Sequence, residues 1–259
     1  MSVDTEHRVA LEQTGEMVWT LRFTSGRRAN AMTFDLVREL AETVEDVRSR
    51  EDVRVLVLRG GERVFSGGAD LAPFLEMDET QYRAYIEAEF GLFDAIETLP
   101  MLTVAALEGP CLGNAAEMAL ACDYRIASSA ARFGLAETRV GFQGPSDRIT
   151  KFVGIGVAKN LLYQGLILTA AEAQGHGLVT DVAEPEALDQ RVMDFTAELA
   201  ALPAVAIRAT KRNLGRAYAT PREVIEAEIA ASLECYRTSD FREGVAAFFE
   251  KRPAKFLGR

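Results

Sequence analysis

Across the stretch from Gly109 to Cys122, GPCLGNAAEMALAC, Glu117 is the single charged side chain, set among Ala115, Ala116, Met118, Ala119 and Leu120. A carboxyl on a helix with no polar neighbours loses hydration, which lifts its pKa toward neutrality and lets it exchange protons at working pH. The same spacing also fits a glutamate on the helix's one exposed edge, or one paired with an arginine. A second acid, Glu137, sits in Leu135-Ala136-Glu137-Thr138, where Arg132 and Arg139 make a surface ion pair the plain alternative. A third feature is Phe65-Ser66-Gly67-Gly68-Ala69-Asp70-Leu71, whose glycines allow the backbone to approach a ligand and turn its N–H groups outward. A structural turn explains it equally simply. The glycine spacing is neither that of a P-loop nor GxGxxG, so nucleotide binding gains no support.

Other chemistries find little material. There are two histidines, so a histidine metal site or a Ser-His-Asp triad has almost nothing to draw on. His7 lies near the terminus, and His176, in Gly175-His176-Gly177, reads as a turn residue. Cys111, Cys122 and Cys235 are an odd number in a chain too large to need disulfides, and read as reduced, packed thiols of a cytoplasmic protein. No metal site is expected.

The elements that must position these residues follow from periodicity. Strands are expected over 9–11 and 17–23, joined by a turn at Gln13-Thr14-Gly15, since residues 18–23 alternate in polarity. Thr33 is a candidate N-cap for a helix to Arg48, with Leu36, Val37, Leu40, Val44 and Val47 on one face. Short apolar runs at 53–58 and 102–106 read as buried parallel strands. A helix over 79–99 is stopped by Pro100, a helix of small residues spans 114–121, and strands are expected at 124–127 and, irregularly, 132–135. Beyond Asp147, itself a candidate N-cap or extra acid, helices are expected over 147–153, 156–165, 170–175, 186–200, 204–219 and 221–248. The fold class is therefore α/β, with crossover units on a largely parallel sheet and a helical C-terminal part.

The 259 residues, 48% apolar and 26% charged, suffice for a sizeable core. A formal net charge of -10 without a basic block argues against nucleic acid or an anionic membrane as partner. A few local cations could still hold a phosphate-bearing small ligand. No apolar run approaches a membrane span, and Met1 to Arg8 is followed by no apolar core, so no signal peptide is expected.

Taken in order, Asn30-Ala31-Met32, FSGGADL at 65–71, GPCLGNAAEMALACDYRIA at 109–127 and FGLAETRVG at 133–141 resemble the enoyl-CoA hydratase/isomerase (crotonase) superfamily. AQGHGLV at 173–179 and DFREGVAAFFEKRPAKF at 240–256 extend the likeness over nearly the whole chain. The resemblance implies a spiral of βαβ units over 1–200 and a helical region over 201–259 for assembly, as a homotrimer or dimer of trimers, and for coenzyme A contact. It implies that the backbone N–H groups of Ala69 and Asn114 form an oxyanion hole for a thioester enolate. It also implies that Glu117 and Glu137 are the catalytic pair of a hydratase, Glu117 toward the attacking water and Glu137 toward the proton delivered to C2. Asn114 stands where the family commonly has glycine, and only its N–H is required.

The substrate is expected to be an acyl-CoA, with coenzyme A as part of the substrate and no prosthetic group. Arg27, Arg28, Asn30, Ala31, Gly67, Asp70 and Leu71 are candidate coenzyme A contacts, with Phe248 and Lys251 from the tail of a neighbouring subunit. Ala72 stands where some relatives carry a phosphate-binding lysine. After Glu137, Phe142-Gln143-Gly144-Pro145-Ser146-Asp147 runs about three residues shorter than the family's glycine-rich loop, so other enolate reactions stay open: isomerisation, decarboxylation, thioester hydrolysis, or acyl-CoA binding without catalysis.

Overall fold

The protein is described from a computed structural model that defines residues 8–218 and 221–257; His7 lies outside them. Among the described residues nine strands run in chain order: β1 (Arg8–Gly15), β2 (Val18–Thr24), β3 (Val55–Arg59), β4 (Leu102–Leu107), β5 (Pro110–Leu112), β6 (Tyr124–Ser128), β7 (Arg132–Gly134), β8 (Ile167–Thr169) and β9 (Asp181–Ala183). The helices are α1 (Phe34–Arg48), α2 (Glu79–Glu97), α3 (Asn114–Ala121), α4 (Ser146–Thr150), α5 (Ile155–Gln164), α6 (Ala170–Gly175), α7 (Leu188–Ala200), α8 (Ala204–Tyr218), α9 (Arg222–Tyr236) and α10 (Ser239–Glu250).

The main sheet has the order β1-β2-β3-β4-β6-β9, parallel except for the β1–β2 hairpin. Its central strands carry unbroken apolar runs because helices cover both faces: Val55 to Leu58 and Leu102 to Leu107 are all buried. The second ladder explains the spiral. Each turn of chain leaves the main sheet and adds a segment beside the previous one: Met32 pairs with Ala69, Ser66 with Cys111, Cys111 with Phe133, and Phe133 with Leu168. The glycine loop, the start of α3 and the segment before Glu137 are thereby stacked as neighbours. The fold is the crotonase α/β spiral.

Local differences from the expected elements have identifiable causes. The hairpin turn falls at Glu16-Met17, because β1 pairs as far as Gly15 across a bulge and Met17 takes up a left-handed φ of 59°. β5, β8 and β9 are three-residue strands that show no periodicity of their own. The helix expected over 221–248 is two. Thr238 adopts extended angles and its hydroxyl accepts from the Phe241 amide, which caps α10 and turns it back on the chain. Asp147 is the second residue of α4, whose N-cap is Pro145, and neither caps the helix nor lines the cavity described below.

α1 lies as expected, capped by Thr33 and burying the five named apolar residues. Cys111 and Cys122 are buried, and all three cysteines are free thiols. His176 is the exposed C-cap of α6. No helix among the described residues is long and apolar enough to cross a membrane.

An aromatic cluster ties α2 to the C-terminal helices. Tyr82 stacks on Tyr236 at 4.2 Å between centroids, and Phe142 meets Phe241 at 4.5 Å and Phe74 at 5.7 Å. The short loop after Glu137 is thus held by an aromatic anchor.

Candidate active site

A cavity of about 400 Å³ opens where these stacked segments meet α2 and the aromatic cluster. Ala69, Asn114, Glu117 and Glu137 all line it, together with Glu89 of α2 and the rings of Phe74, Phe90, Phe142 and Phe248. Four residues singled out from sequence, spread over 69 to 137, are therefore brought to one place.

The backbone explains how. In the glycine loop the Gly67 amide donates to Ala29 O (2.7 Å), the Gly68 amide to Ser66 Oγ (3.1 Å) and the Asp70 amide to Met32 O (2.9 Å). The Ala69 amide between them makes no hydrogen bond among the described residues. At the start of α3, Gly113 donates to Gly134 O (2.9 Å), while the Asn114 amide, in the first helical turn, has no partner either. Gly113 holds φ 57°, ψ -134°, open in practice to glycine alone, and a Cβ there would lie 3.8 Å from Gly68 Cα and 3.9 Å from Glu137 Oε1. Two unengaged amides and a carboxyl thus border one small volume.

Glu117 sits on the first turn of α3 and is 7% exposed. It is at once buried and paired: Arg148 Nε donates to its Oε1 at 3.3 Å. Arg148 also binds Glu97 and Asp94 (3.4 Å), so its charge is shared. Burial outweighs the arginine's pull, and the Glu117 carboxyl is pushed up to about 8. Glu137 opens a 3-10 turn, Glu137–Val140. No ion pair to Arg132 or Arg139 forms; those guanidiniums bond to carbonyls of Ala130, Ala131 and Gln164. Glu137 Oε2 is buried without a partner, and desolvation raises this carboxyl to about 7. Gly144 makes room for it, since a Cβ there would come within 3.4 Å of Oε2 and 2.8 Å of Leu162 Cδ2.

Glu89 escaped sequence reasoning. It is 7% exposed, and its Oε1 accepts from the Tyr85 hydroxyl (2.5 Å) and the Asn114 side-chain amide. Burial raises it to about 7. The available signal was spacing: Tyr82, Tyr85, Ile86, Glu89, Leu92, Phe93 and Ile96 form one buried helical stripe with a single acid in it. Arg148 had no sequence signal, because its three partners come from distant segments.

The candidate coenzyme A contacts are dispersed. Gly67, Leu71 and Phe248 line the cavity; Phe248 does so within its own chain, although expected from a neighbouring subunit. Asn30 is buried and its side chain is spent on the backbone, accepting from Ser25 N and donating to Phe23 O and Phe65 O. Arg27 and Arg28 are exposed, with Arg27 3.9 Å from Asp70. Asp70 also accepts from the Ala72 amide. Ala31 is half-buried, and Lys251 is exposed at the end of α10.

Spiral topology with an acid-bearing cavity at the start of a small-residue helix defines a crotonase-type protein. The comparisons agree: the sequence profile of enoyl-CoA hydratase/isomerase matches residues 13–259, and the chain belongs to that family. It is 35% identical over 246 residues to "Enoyl-CoA hydratase domain-containing protein 2, mitochondrial" of Homo sapiens, covering 89% of this chain and 82% of the relative. It is 31% identical to the "Short-chain-enoyl-CoA hydratase" of Clostridium acetobutylicum over 95% of this chain and 96% of the relative. Among solved structures, an enoyl-CoA hydratase from Mycobacterium avium subsp. paratuberculosis K-10 superposes with a TM-score of 0.86 at 28% identity, covering 96% of this chain and 98% of that one.

Proposed function

We propose that the protein is an enoyl-CoA hydratase that adds water across the 2,3-double bond of an acyl-CoA. The observation that carries this reading is the meeting of two partnerless amides, Ala69 and Asn114, with the carboxyls of Glu117 and Glu137 on one apolar cavity. The amides would hold the thioester oxygen as it becomes an enolate oxygen, a stabilisation typically worth on the order of 10²–10³ in rate per donor. Glu117 takes the proton of a water attacking C3, and Glu137 delivers a proton to C2. Carboxyls raised to about 8 and about 7 can serve both duties near neutrality.

Coenzyme A is read as part of the substrate, with Arg27, Arg28, Gly67, Leu71, Phe248 and Lys251 as its contacts. Residues 201–259 are read as the assembly region of a homotrimer or dimer of trimers in the cytoplasm. The exposed apolar side chains Val205, Leu214 and Phe249 support burial against another copy.

Glu117→Gln and Glu137→Gln are each expected to lower kcat for crotonyl-CoA hydration by about 10²-fold or more, with binding kept within a few-fold. Loss of enoyl absorbance follows the rate, and calorimetry the binding. Wild-type protein that binds crotonyl-CoA without hydrating it ends this reading. A second reading, double-bond isomerisation, draws on Glu89, a third acid able to move a proton along the chain without water. Mass spectrometry separates the two, since only hydration adds the mass of water.

A further inference from the structure

The side chains of Tyr85, Glu89 and Asn114 form a cavity wall that has no duty in the hydration scheme, which uses only the backbone N–H of Asn114. Glu89 Oε1 is occupied by the Tyr85 hydroxyl and by Asn114 Nδ2, and Asn114 Nδ2 also donates to Tyr85 Oη (3.2 Å). With its NH₂ group turned to the carboxylate, Asn114 must present Oδ1 the other way, and this atom is buried with no partner. The Oε2 of Glu89 also makes no hydrogen bond among the described residues, although this oxygen is not sealed off as Asn114 Oδ1 is. With Glu89 ionised, every donor of this trio is used within it, and two acceptors are left over. A buried acceptor without a donor, as Asn114 Oδ1 is, is costly, so a ligand that supplies a donor there gains what the empty cavity lacks.

Charge narrows the class. Glu89, Glu117 and Glu137 all line the cavity. The buried cation beside them, Arg148, is held by Glu117, Glu97 and Asp94. Arg139 at the rim is exposed and bonds to Gln164 O. An acyl chain ending in a carboxylate would meet acceptors and, as these carboxyls ionise, like charge, with no free cation on the wall to offset it among the described residues.

We propose that Asn114 and the ionised Glu89 form an acceptor wall that selects neutral acyl chains bearing a hydroxyl group over plain and carboxylated chains. The proposal rests on reading the cavity as an acyl-CoA site, and it names the substrate class within it. A polar site built for a donor discriminates more sharply than an apolar one, because the unmatched ligand leaves buried groups unpaired.

The test is calorimetric and uses saturated ligands, so it does not depend on turnover. Butanoyl- and hexanoyl-CoA are compared with chains of the same length carrying a hydroxyl at C4, C5 or C6, and with glutaryl-CoA. At one hydroxyl position binding is expected to be about tenfold tighter than for the plain chain, and glutaryl-CoA weakest of all. Asn114→Gly keeps the backbone N–H and removes Oδ1, and should cut the preference to within about twofold. Glu89→Gln should do the same and improve glutaryl-CoA. Equal wild-type binding of plain and hydroxylated chains overturns the proposal, as does a preference that survives both substitutions. A protein that shows the preference but hydrates no enoyl-CoA sinks the hydratase reading alone. One that binds no acyl-CoA sinks both.

Discussion

Glu117 and Glu137 reach a similar protonation range by different routes, and the difference is testable. Glu117 is pulled down by Arg148 and pushed up further by burial, whereas Glu137 has a buried oxygen with no cation near it. Removing the arginine therefore has a definite sign. In Arg148→Gln the Glu117 carboxyl rises above about 8, its base form becomes rarer at neutral pH, and the acid limb of the kcat/KM profile moves to higher pH. The same change leaves Asp94, Glu97 and Glu117 without their shared cation, which should cost about 3–5 kcal/mol in a urea melt. An unmoved acid limb would show that Arg148 does not set the charge of Glu117. At this scale the sequence revealed Glu117 well, because one charge in an apolar stretch stands out. Glu89 was hidden by Glu87 two residues earlier, which faces solvent. Only the three-and-four spacing distinguishes them.

At the level of elements, the critical joint is the entry to α3. Gly113 turns the chain from β5 into the helix with an angle pair closed to side chains, although a Cβ would only touch its neighbours Gly68 and Glu137, so the strain is in the backbone. Gly113→Ala is expected to cost about 1–3 kcal/mol in stability. Its effect on kcat should be larger than on acyl-CoA binding, since the strained turn displaces the Asn114 amide; an alanine variant with wild-type kcat would detach that amide from catalysis. The join between α9 and α10 gives a milder case. Thr238→Ala removes the hydroxyl that accepts from Phe241 N and should cost about 1 kcal/mol, seen as an earlier denaturation midpoint. That join was present in the sequence as Thr238-Ser239-Asp240, a capping signal overridden by the apolar periodicity running through it. Long amphipathic elements such as α1 and buried strands such as β3 and β4 were legible because their patterns repeat. β5, β8 and β9 are specified by pairing with segments far away in sequence, so nothing local announces them.

For the molecule as a whole, the cluster of buried acids couples folding to pH. Glu89, Glu117 and Glu137 each have an ordinary value of 4.5 and are raised to about 7, about 8 and about 7. Between these limits the folded chain holds protons that the unfolded chain has released, so stability must fall as pH rises. It is fully present below about 4.5 and lost on passing through about 7 to 8. The formal charge of -10 counts all three as ionised, and ionising them in place also adds to the repulsion within an already acidic chain. Exposed acids lowered by ion pairs, such as Glu243 at about 2, act with the opposite sign, but below pH 4.5. The ligand-free protein should therefore melt several degrees lower at pH 8 than at pH 5, followed by calorimetry at constant ionic strength. Glu89→Gln, Glu117→Gln and Glu137→Gln should each flatten that slope by at most one proton's worth, about 1.4 kcal/mol per pH unit. A melting temperature that is level or rising from pH 5 to 8 would mean that the three carboxyls are ionised in the fold, and the shared proton chemistry assigned to the cavity would fall with it.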